Sequence, residues 1–479
     1  MAHVARDMKP LRAIAFAHRH RSRFVAELKE FVRFPTVSSQ SGHSRDLANC
    51  AAWLAEHLKR IGLDQVRIVP TRYHPIVYAA SQRVPGRPTI LIYGHYDVQP
   101  VEPLNQWQHP PFEPVVEGDK LYGRGASDDK GQLFANVKAL ESYLKTEHAL
   151  PVNIKCLFEG DEETGSSALG PFVENNRSAL RADAAVMSDT RMLAERQPAI
   201  GYAQRGTVRF ELEVSGPRHD LHSGNFGGAV LNPLQALCEI LAGLHDENGR
   251  VAVAGFYDRV REWGQREREY MARVGPADAS ILRDAGVEQG WGEDDYSVYE
   301  RVTIRPALTL NGLSGGYEGE GIKTVIPARA LAKLSIRIVP DQDPSEIQQL
   351  LTAHIGQAAP QGVRVSLRPL GASAPIVFNR NHPALRAAAF AYEKGFGARP
   401  VYLRSGGSVP AASVFQKVLG IPTALMGFAL PGDRIHAPNE RFHLPTFFRG
   451  IETCIWFLHA AARLPNQELR AERRKERQV

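Results

Sequence analysis

Five side chains of metal-ligand type, His95, Asp128, Glu163, Asp189 and His436, each follow a short apolar run or open a helix. Carboxylate and imidazole donors without thiolate suit zinc, manganese or cobalt in a hydrolytic site, not a structural zinc site. Residues 89–94 lead to His95, 152–158 lead to the acidic run that contains Glu163, 184–187 lead to Asp189, and 423–427 run toward His436. Apolar runs of this kind, ending in Gly and polar residues, predict buried parallel strands. In open α/β sheets ligands bind beyond the carboxyl ends of such strands, so acids and imidazoles from distant segments would gather at one sheet edge.

Each motif also has a plainer reading. A lone His is more often structural than a ligand, but His95 and Asp97 stand two residues apart on extended chain. They point the same way, as a metal-bound imidazole and its orienting carboxylate would. Gly125-Ala126-Ser127-Asp128-Asp129-Lys130-Gly131 reads equally well as a helix cap, because Leu133, Val137, Leu140 and Leu144 follow at helical spacing. The run Glu159-Gly160-Asp161-Glu162-Glu163 is harder to dismiss. Four carboxylates in five residues repel one another unless cations or solvent separate them. Adjacent acids on a turn can divide the work, one binding metal and the other facing the bound water as general base. Two dications would offset Asp128, Glu163, Asp189 and a bridging hydroxide, whereas one would leave excess negative charge.

The elements that must position these residues fall into two patterns. From Met1 to about Arg205 short apolar strands alternate with amphipathic helices, predicting a parallel sheet flanked by helices. After Gly206, Val208, Phe210, Leu212 and Val214 alternate with polar residues, and the alternation returns at Ala332 to Ile338 and at Val363 to Leu367, as in antiparallel strands with one wet face. Asn232-Pro233 and Asp343-Pro344-Ser345-Glu346 are start signals for two helices between these strands, and 257–274 reads as an extra charged helix. From about Pro383 the first pattern resumes. The expected fold class is therefore α/β, a catalytic domain (1–205 and 383–479) interrupted by an inserted α+β domain (206–382).

Composition narrows the function classes. Across 479 residues, Lys+Arg 58 against Asp+Glu 52 gives a formal charge of +6, concentrated at the two ends. This argues against nucleic acid as the main partner. The N-terminal basic residues Arg6, Lys9, Arg12 and Arg19 read as a surface helix, and 470–479 as a solvated helix end. No apolar run approaches the roughly 18 residues of a membrane span, and a cytoplasmic address is expected. Cys50, Cys156, Cys238 and Cys454 are scattered without paired spacing and read as buried reduced thiols.

Taken together, Gly94-His95-Tyr96-Asp97-Val98-Gln99-Pro100, 122–131, 159–166 and His436-Ala437-Pro438-Asn439-Glu440 resemble the di-zinc aminoacylase and carboxypeptidase family, and within it the dipeptidase branch that includes carnosinase. The match runs in order from about Phe31 to Phe457. The resemblance implies that Asp128 bridges two ions, zinc in that family, with His95 and Asp189 completing one site and Glu163 and His436 the other. Glu162 is then the general base and Asp97 the orienter of His95. The inserted domain resembles the family's lid, which also carries the contact of a homodimer. Asp220-Leu221-His222-Ser223-Gly224 matches the motif whose histidine polarises the scissile carbonyl. Arg337 and the loop 405–410, with Gly407 and Ser408, match the groups that bind the substrate carboxylate. Arg404-Ser405 departs from the Arg-Glu expected in the dipeptidase branch. The expected activity is metal-dependent hydrolysis of the amide bond of dipeptides or similar short substrates with a free C-terminal carboxylate. An N-acyl-amino-acid deacylase with the same site and a non-catalytic metal-stabilised binding protein are the alternatives.

Overall fold

A computed structural model of the chain describes residues 10–463. Arg6, Lys9 and the charged tail from Arg470 lie outside the described residues. The chain forms two compact units: one takes in the chain up to Tyr202, Phe378–Leu403 and the chain from Val409, and the other Ala203–Val377 with the short return Arg404–Ser408. That return carries the Gly406-Gly407-Ser408 loop into the inserted unit, a placement that the alternation of apolar residues does not mark.

The first unit is built on a large sheet. Four strands run parallel at its centre in the order Asn153–Glu159, Thr89–His95, Ala184–Met187, Thr423–Leu425. The outer strands, Ile76–Ala80 on one side and Ala199–Gln204 on the other, pair antiparallel to their neighbours. Every residue of Ala184–Met187 and Thr423–Leu425 is buried, as expected of strands covered on both faces. Because the central strands are parallel, His95 and Glu159 end in register and the chain leaves all four on the same edge. Helix Lys130–Glu147 packs on Thr89–His95, Ser44–Ile61 on Ile76–Ala80, and Pro383–Phe396 on Thr423–Leu425. The first of these approaches closely: a Cβ on Gly94 would lie 2.8 Å from the Asp129 carboxylate and 2.9 Å from Leu133, so only glycine fits.

Helix Lys130–Glu147 differs from the amphipathic helix expected. It is buried on every side from Lys130 to Tyr143, because helices Pro10–Arg19, Arg21–Val32 and Leu444–Ala461 also pack against it. Its buried Lys138 ammonium donates to Glu27 (2.5 Å) and Glu141 (2.7 Å) and lies 2.8 Å from His57 Nε2, so the charge enters the core already paired. Those three acceptors could have held a metal ion, but the ammonium occupies their centre.

The second unit is α+β. Its four-stranded antiparallel sheet runs Ala307–Gly315, Arg329–Ile338, Gly206–Ser215, Arg364–Ser373. Val208, Phe210, Leu212 and Val214 alternate inward and pack with Leu334 and Ile336 against Leu237, Ile240, Ile347 and Leu351. The last four belong to helices Pro233–Ala242 and Pro344–Ala358, which open as expected: Asn232 accepts from Leu234 N–H, and Asp343 from the N–H groups of Ser345 and Glu346. Of the charged stretch 257–274 only Gln265–Val274 is helical; 257–264 form turn and irregular chain. Among the cysteines, Cys50, Cys156 and Cys454 are buried thiols, whereas Cys238 is exposed because it falls on the outer side of Pro233–Ala242.

Candidate metal centre

All five ligand-type side chains converge at the carboxyl edge of the parallel strands. The potential ligand atoms of His95, Asp128 and Asp189 lie within 4.8 Å of one another, and so do those of Asp128, Glu163 and His436. Asp128 belongs to both groups. Its Oδ1 stands 3.1 Å from His95 Nε2, while its Oδ2 stands 2.9 Å from His436 Nε2. Asp189 lies 3.7 Å from His95 Nε2, and Glu163 3.3 Å from His436 Nε2. One carboxylate thus turns each of its oxygens to a different triad.

The loops that deliver these groups are held by residues outside the triads. The Asp97 carboxylate lies 3.4 Å from His95 Nδ1 and accepts from the N–H groups of Glu162 (3.2 Å) and Glu163 (3.0 Å). It therefore ties the His95 strand end to the acidic turn, while His95 Nδ1 hydrogen-bonds the Asp97 backbone O at 3.1 Å, which leaves Nε2 facing Asp128. Gln99 Nε2 donates to Glu163 Oε2 at 2.8 Å. Asn136 donates to the hydroxyl of Ser188, next to Asp189, and Gln132 bridges Ser127 to the backbone N–H groups of Phe428 and Ala429.

Asp129, the N-cap of helix Lys130–Glu147, makes no side-chain cap; its carboxylate accepts from His95 N–H instead. The helix thus starts two residues beyond Asp128, which is left in the preceding turn. His436 sits at φ 63°, between Arg434 (φ 58°) and Asn439 (φ 63°), so its loop holds three non-glycine residues in the left-handed region. Such strain persists only where the surroundings over-determine it. Asn439 supplies part of that constraint by accepting from Gln108 N–H and donating to Gln106 O.

The four carboxylates of the acidic run divide. Glu159 is buried, accepts from Tyr93 OH and Ser166 OH, and is pushed up to about 8 chiefly by burial. Asp161 accepts from Thr164 OH and Ala168 N–H. These two brace the turn, which leaves Glu162 and Glu163 as the acids of the run that face the ligand groups.

Electrostatics at the centre fit divalent ions. Burial and then Asp128 raise Asp189 to about 7, and burial, with Asp189 and Glu163 adding to it, holds Glu162 well above the carboxylate range. Burial opposes protonation of His436, yet its contacts with Asp128 and Glu163 raise it to about 10. The imidazoles can balance these acids only by taking protons on the nitrogens that would otherwise be ligands. Dications supply the same charge and leave the lone pairs available, and the donor set of oxygen and imidazole nitrogen suits them.

The remaining candidates lie in the second unit. His222 is exposed on the short strand Leu221–His222, and its Nδ1 accepts from Gly224 N–H at 2.9 Å. That bond places the neutral ring's proton on Nε2, which is left as an outward donor. Arg337, half-buried, donates to Ser408 Oγ at 3.1 Å, and the Ser408 hydroxyl donates to Arg205 O. Burial and then Arg209 lower the Arg337 pKa. Gly407 is exposed and its N–H donates to Ser405 Oγ.

Sequence reasoning assigned no part to Glu440, although it lies in a quoted motif. The carboxylate is fully buried and accepts from Arg124, Gly125 N–H, Ser127 N–H and Asp128 N–H. No local signal in the sequence marks it, because its burial and its partners come from a segment distant in the chain.

Comparison with known proteins accords with this arrangement. A Cys-Gly metallodipeptidase of Candida albicans is 30% identical over 461 residues, covering 91% of this chain and 94% of its own length. The human Beta-Ala-His dipeptidase is 30% identical over 463 residues, covering 93% of this chain and 91% of its own. The crystal structure of an M20 family metallo-carboxypeptidase from Sulfolobus solfataricus superposes with a TM-score of 0.85 at 33% identity, covering 92% of this chain and 99% of that one. The profile of Peptidase family M20/M25/M40 matches residues 91–459, a span that includes His95 and His436, and the chain belongs to that family of peptide hydrolases.

Proposed function

We propose that this chain is a two-metal dipeptidase that hydrolyses the amide bond of dipeptides or similar short substrates bearing a free C-terminal carboxylate. The observation that carries the reading is Asp128, whose two oxygens face two ligand triads, one with His95 and Asp189 and the other with Glu163 and His436. Two divalent ions held there, zinc first with manganese and cobalt as the other candidates, would polarise the scissile carbonyl and acidify a water.

The chain's own residues do the rest. Glu162, adjacent to ligand Glu163 on the turn that Asp97 holds, takes the proton from the attacking water and returns it to the leaving amine. Asp97 keeps His95 Nε2 aimed at the ion and holds the turn carrying Glu162. His222, with its proton on Nε2, donates to the carbonyl oxygen as it gains charge. Arg337 binds the C-terminal carboxylate, with backbone of Gly407 and Ser408 beside it. The Ser408 hydroxyl, engaged with both Arg337 and Arg205 O, sets the guanidinium's position.

We place the second unit as a lid and as the contact of a homodimer. Strand Ala307–Gly315 forms an outer edge of its sheet with Leu310 and Leu313 exposed, an edge suited to a second copy. Unpaired thiols at all four cysteines support a cytoplasmic setting. Small peptides are the expected partners, without nucleic acid or membrane; among the described residues no helix is long and apolar enough to cross one.

Kinetics on a dipeptide, its C-terminal amide, a pentapeptide and an N-acetyl amino acid, with the metal-reconstituted protein, test the reading. The dipeptide should have the highest kcat/KM and its amide should fail. A much higher value for the N-acetyl amino acid would make the chain a deacylase, and no turnover of any would favour a binding protein.

A further inference from the structure

The chain leaving His436 runs directly beside the chain that carries Asp128. Strand Arg441–His443 pairs antiparallel with Lys120–Tyr122, and Gly123 N–H donates to Glu440 O at 3.0 Å. That pairing turns the Glu440 side chain under the loop 124–128. There Oε1 accepts from Ser127 N–H (2.9 Å) and Asp128 N–H (3.0 Å), and Oε2 accepts from Gly125 N–H (3.1 Å) and Arg124 Nη1 (2.7 Å). Both Glu440 and Arg124 are buried, and Arg124 Nη2 is anchored to Pro100 O. A second tie runs the same way: Asp433 Oδ2 accepts from Ser127 Oγ and from Leu430 N–H.

We infer that Glu440 is a positioning residue for the metal centre, clamping the backbone of Asp128 so that its two oxygens stay divided between the triads. The inference rests on the two-metal reading proposed above. Its physical basis is that a loop with three N–H groups turned inward, those of Gly125, Ser127 and Asp128, needs an acceptor, and a single carboxylate satisfies all three plus a guanidinium. The partners of the Glu440 carboxylate are main-chain N–H groups and the Arg124 guanidinium. Glu440 acts through the main chain of Asp128, and because it sits on the same segment as His436 it fixes the distance between two ligands that come from opposite ends of the sequence.

Glu440→Gln tests this, since an amide keeps the shape but turns an N–H₂ toward backbone N–H donors. Zinc titration of the metal-free full chain, followed by calorimetry, gives affinity and stoichiometry without any reaction. Loss of an outer partner of a metal ligand typically weakens binding about 10–100-fold, and that is the shift expected here, with turnover partly restored by excess zinc. Glu141→Gln is the control, because Glu141 is also a buried, ion-paired carboxylate but belongs to the Lys138 network. It should lower the melting temperature and leave zinc affinity alone.

Unchanged zinc affinity in Glu440→Gln, or an equal loss in Glu141→Gln, would overturn the inference. Should Glu440→Gln fail to fold, Arg124→Gln removes one of the four donors and should weaken zinc in the same direction by less; unchanged affinity there would overturn it too. If the wild-type chain itself binds fewer than two zinc ions, the two-metal reading fails instead, so the two failures are distinguishable.

Discussion

The metal centre and the polar groups of the second unit are built on opposite principles. At the centre each ligand is delivered by a loop that other buried groups hold: Asp97 for His95 and the acidic turn, Glu440 for Asp128, Asn136 for the Asp189 segment, Asn439 for the His436 loop. In the second unit His222 and Gly407 are exposed, and Arg337 is half-buried beside other guanidinium groups. A site that must hold ions in fixed geometry satisfies its polar groups internally. Under the proposed function these groups meet a substrate and keep bonding capacity in reserve, and an arginine lowered by burial and a like charge has most to gain from an anion.

The contrast can be broken at either end. The largest effect on rate is expected for Glu162→Gln. Replacing the general base without removing a ligand should lower kcat at least about 10²–10⁴-fold while both ions stay bound, measured on one sample by metal analysis and turnover. Near-normal turnover with both ions present would remove Glu162 from its role. His222→Ala should also lower kcat with little metal loss, because it removes a donor and no ligand. Mixed with Glu162→Gln, it should regain activity in verified heterodimers if the histidine serves the partner's site. No recovery would place the histidine's action within its own chain.

Arg337→Ala should act on selectivity. A guanidinium paired with a carboxylate loses a charge-assisted bond when the substrate is amidated, so the wild type should discriminate strongly and the variant little. Equal discrimination by both would detach Arg337 from the substrate carboxylate. The smallest expected effect lies away from both regions, at His57. Burial, then Lys138, push its pKa down from 6.5 to about 2, so the folded chain keeps it neutral. The unfolded chain takes a proton there as pH falls below the ordinary value. Stability against urea should therefore decline between about pH 7 and pH 5, and His57→Gln should flatten that slope.

Much of this architecture is legible along the chain because its signals are local. The four central strands announce themselves as apolar runs, and the acids and imidazoles beyond them follow from where parallel strands end. The inserted unit shows in the change from apolar runs to alternation at Val208, and the helix starts at Asn232 and Asp343 are written in their caps. What is not legible depends on contacts distant in sequence. Glu159 and Glu162 are indistinguishable in an acidic run until Tyr93 and Ser166 claim the first. Glu440 gains its place only when Arg441–His443 pairs with Lys120–Tyr122, and the burial of Lys138 only when helices from both ends of the chain cover it. Cys238 shows the converse, an apolar-looking neighbourhood on a helix face that is exposed among the described residues.

The shared ligand is the feature on which the account stands, and metal content measures it most directly. After reconstitution and removal of free zinc, the wild type should hold two ions per chain, Asp189→Ala chiefly one, and Asp128→Ala should lose both, because both triads draw on its carboxylate. A wild type that holds a single ion, or an Asp128→Ala variant that keeps two, would contradict it.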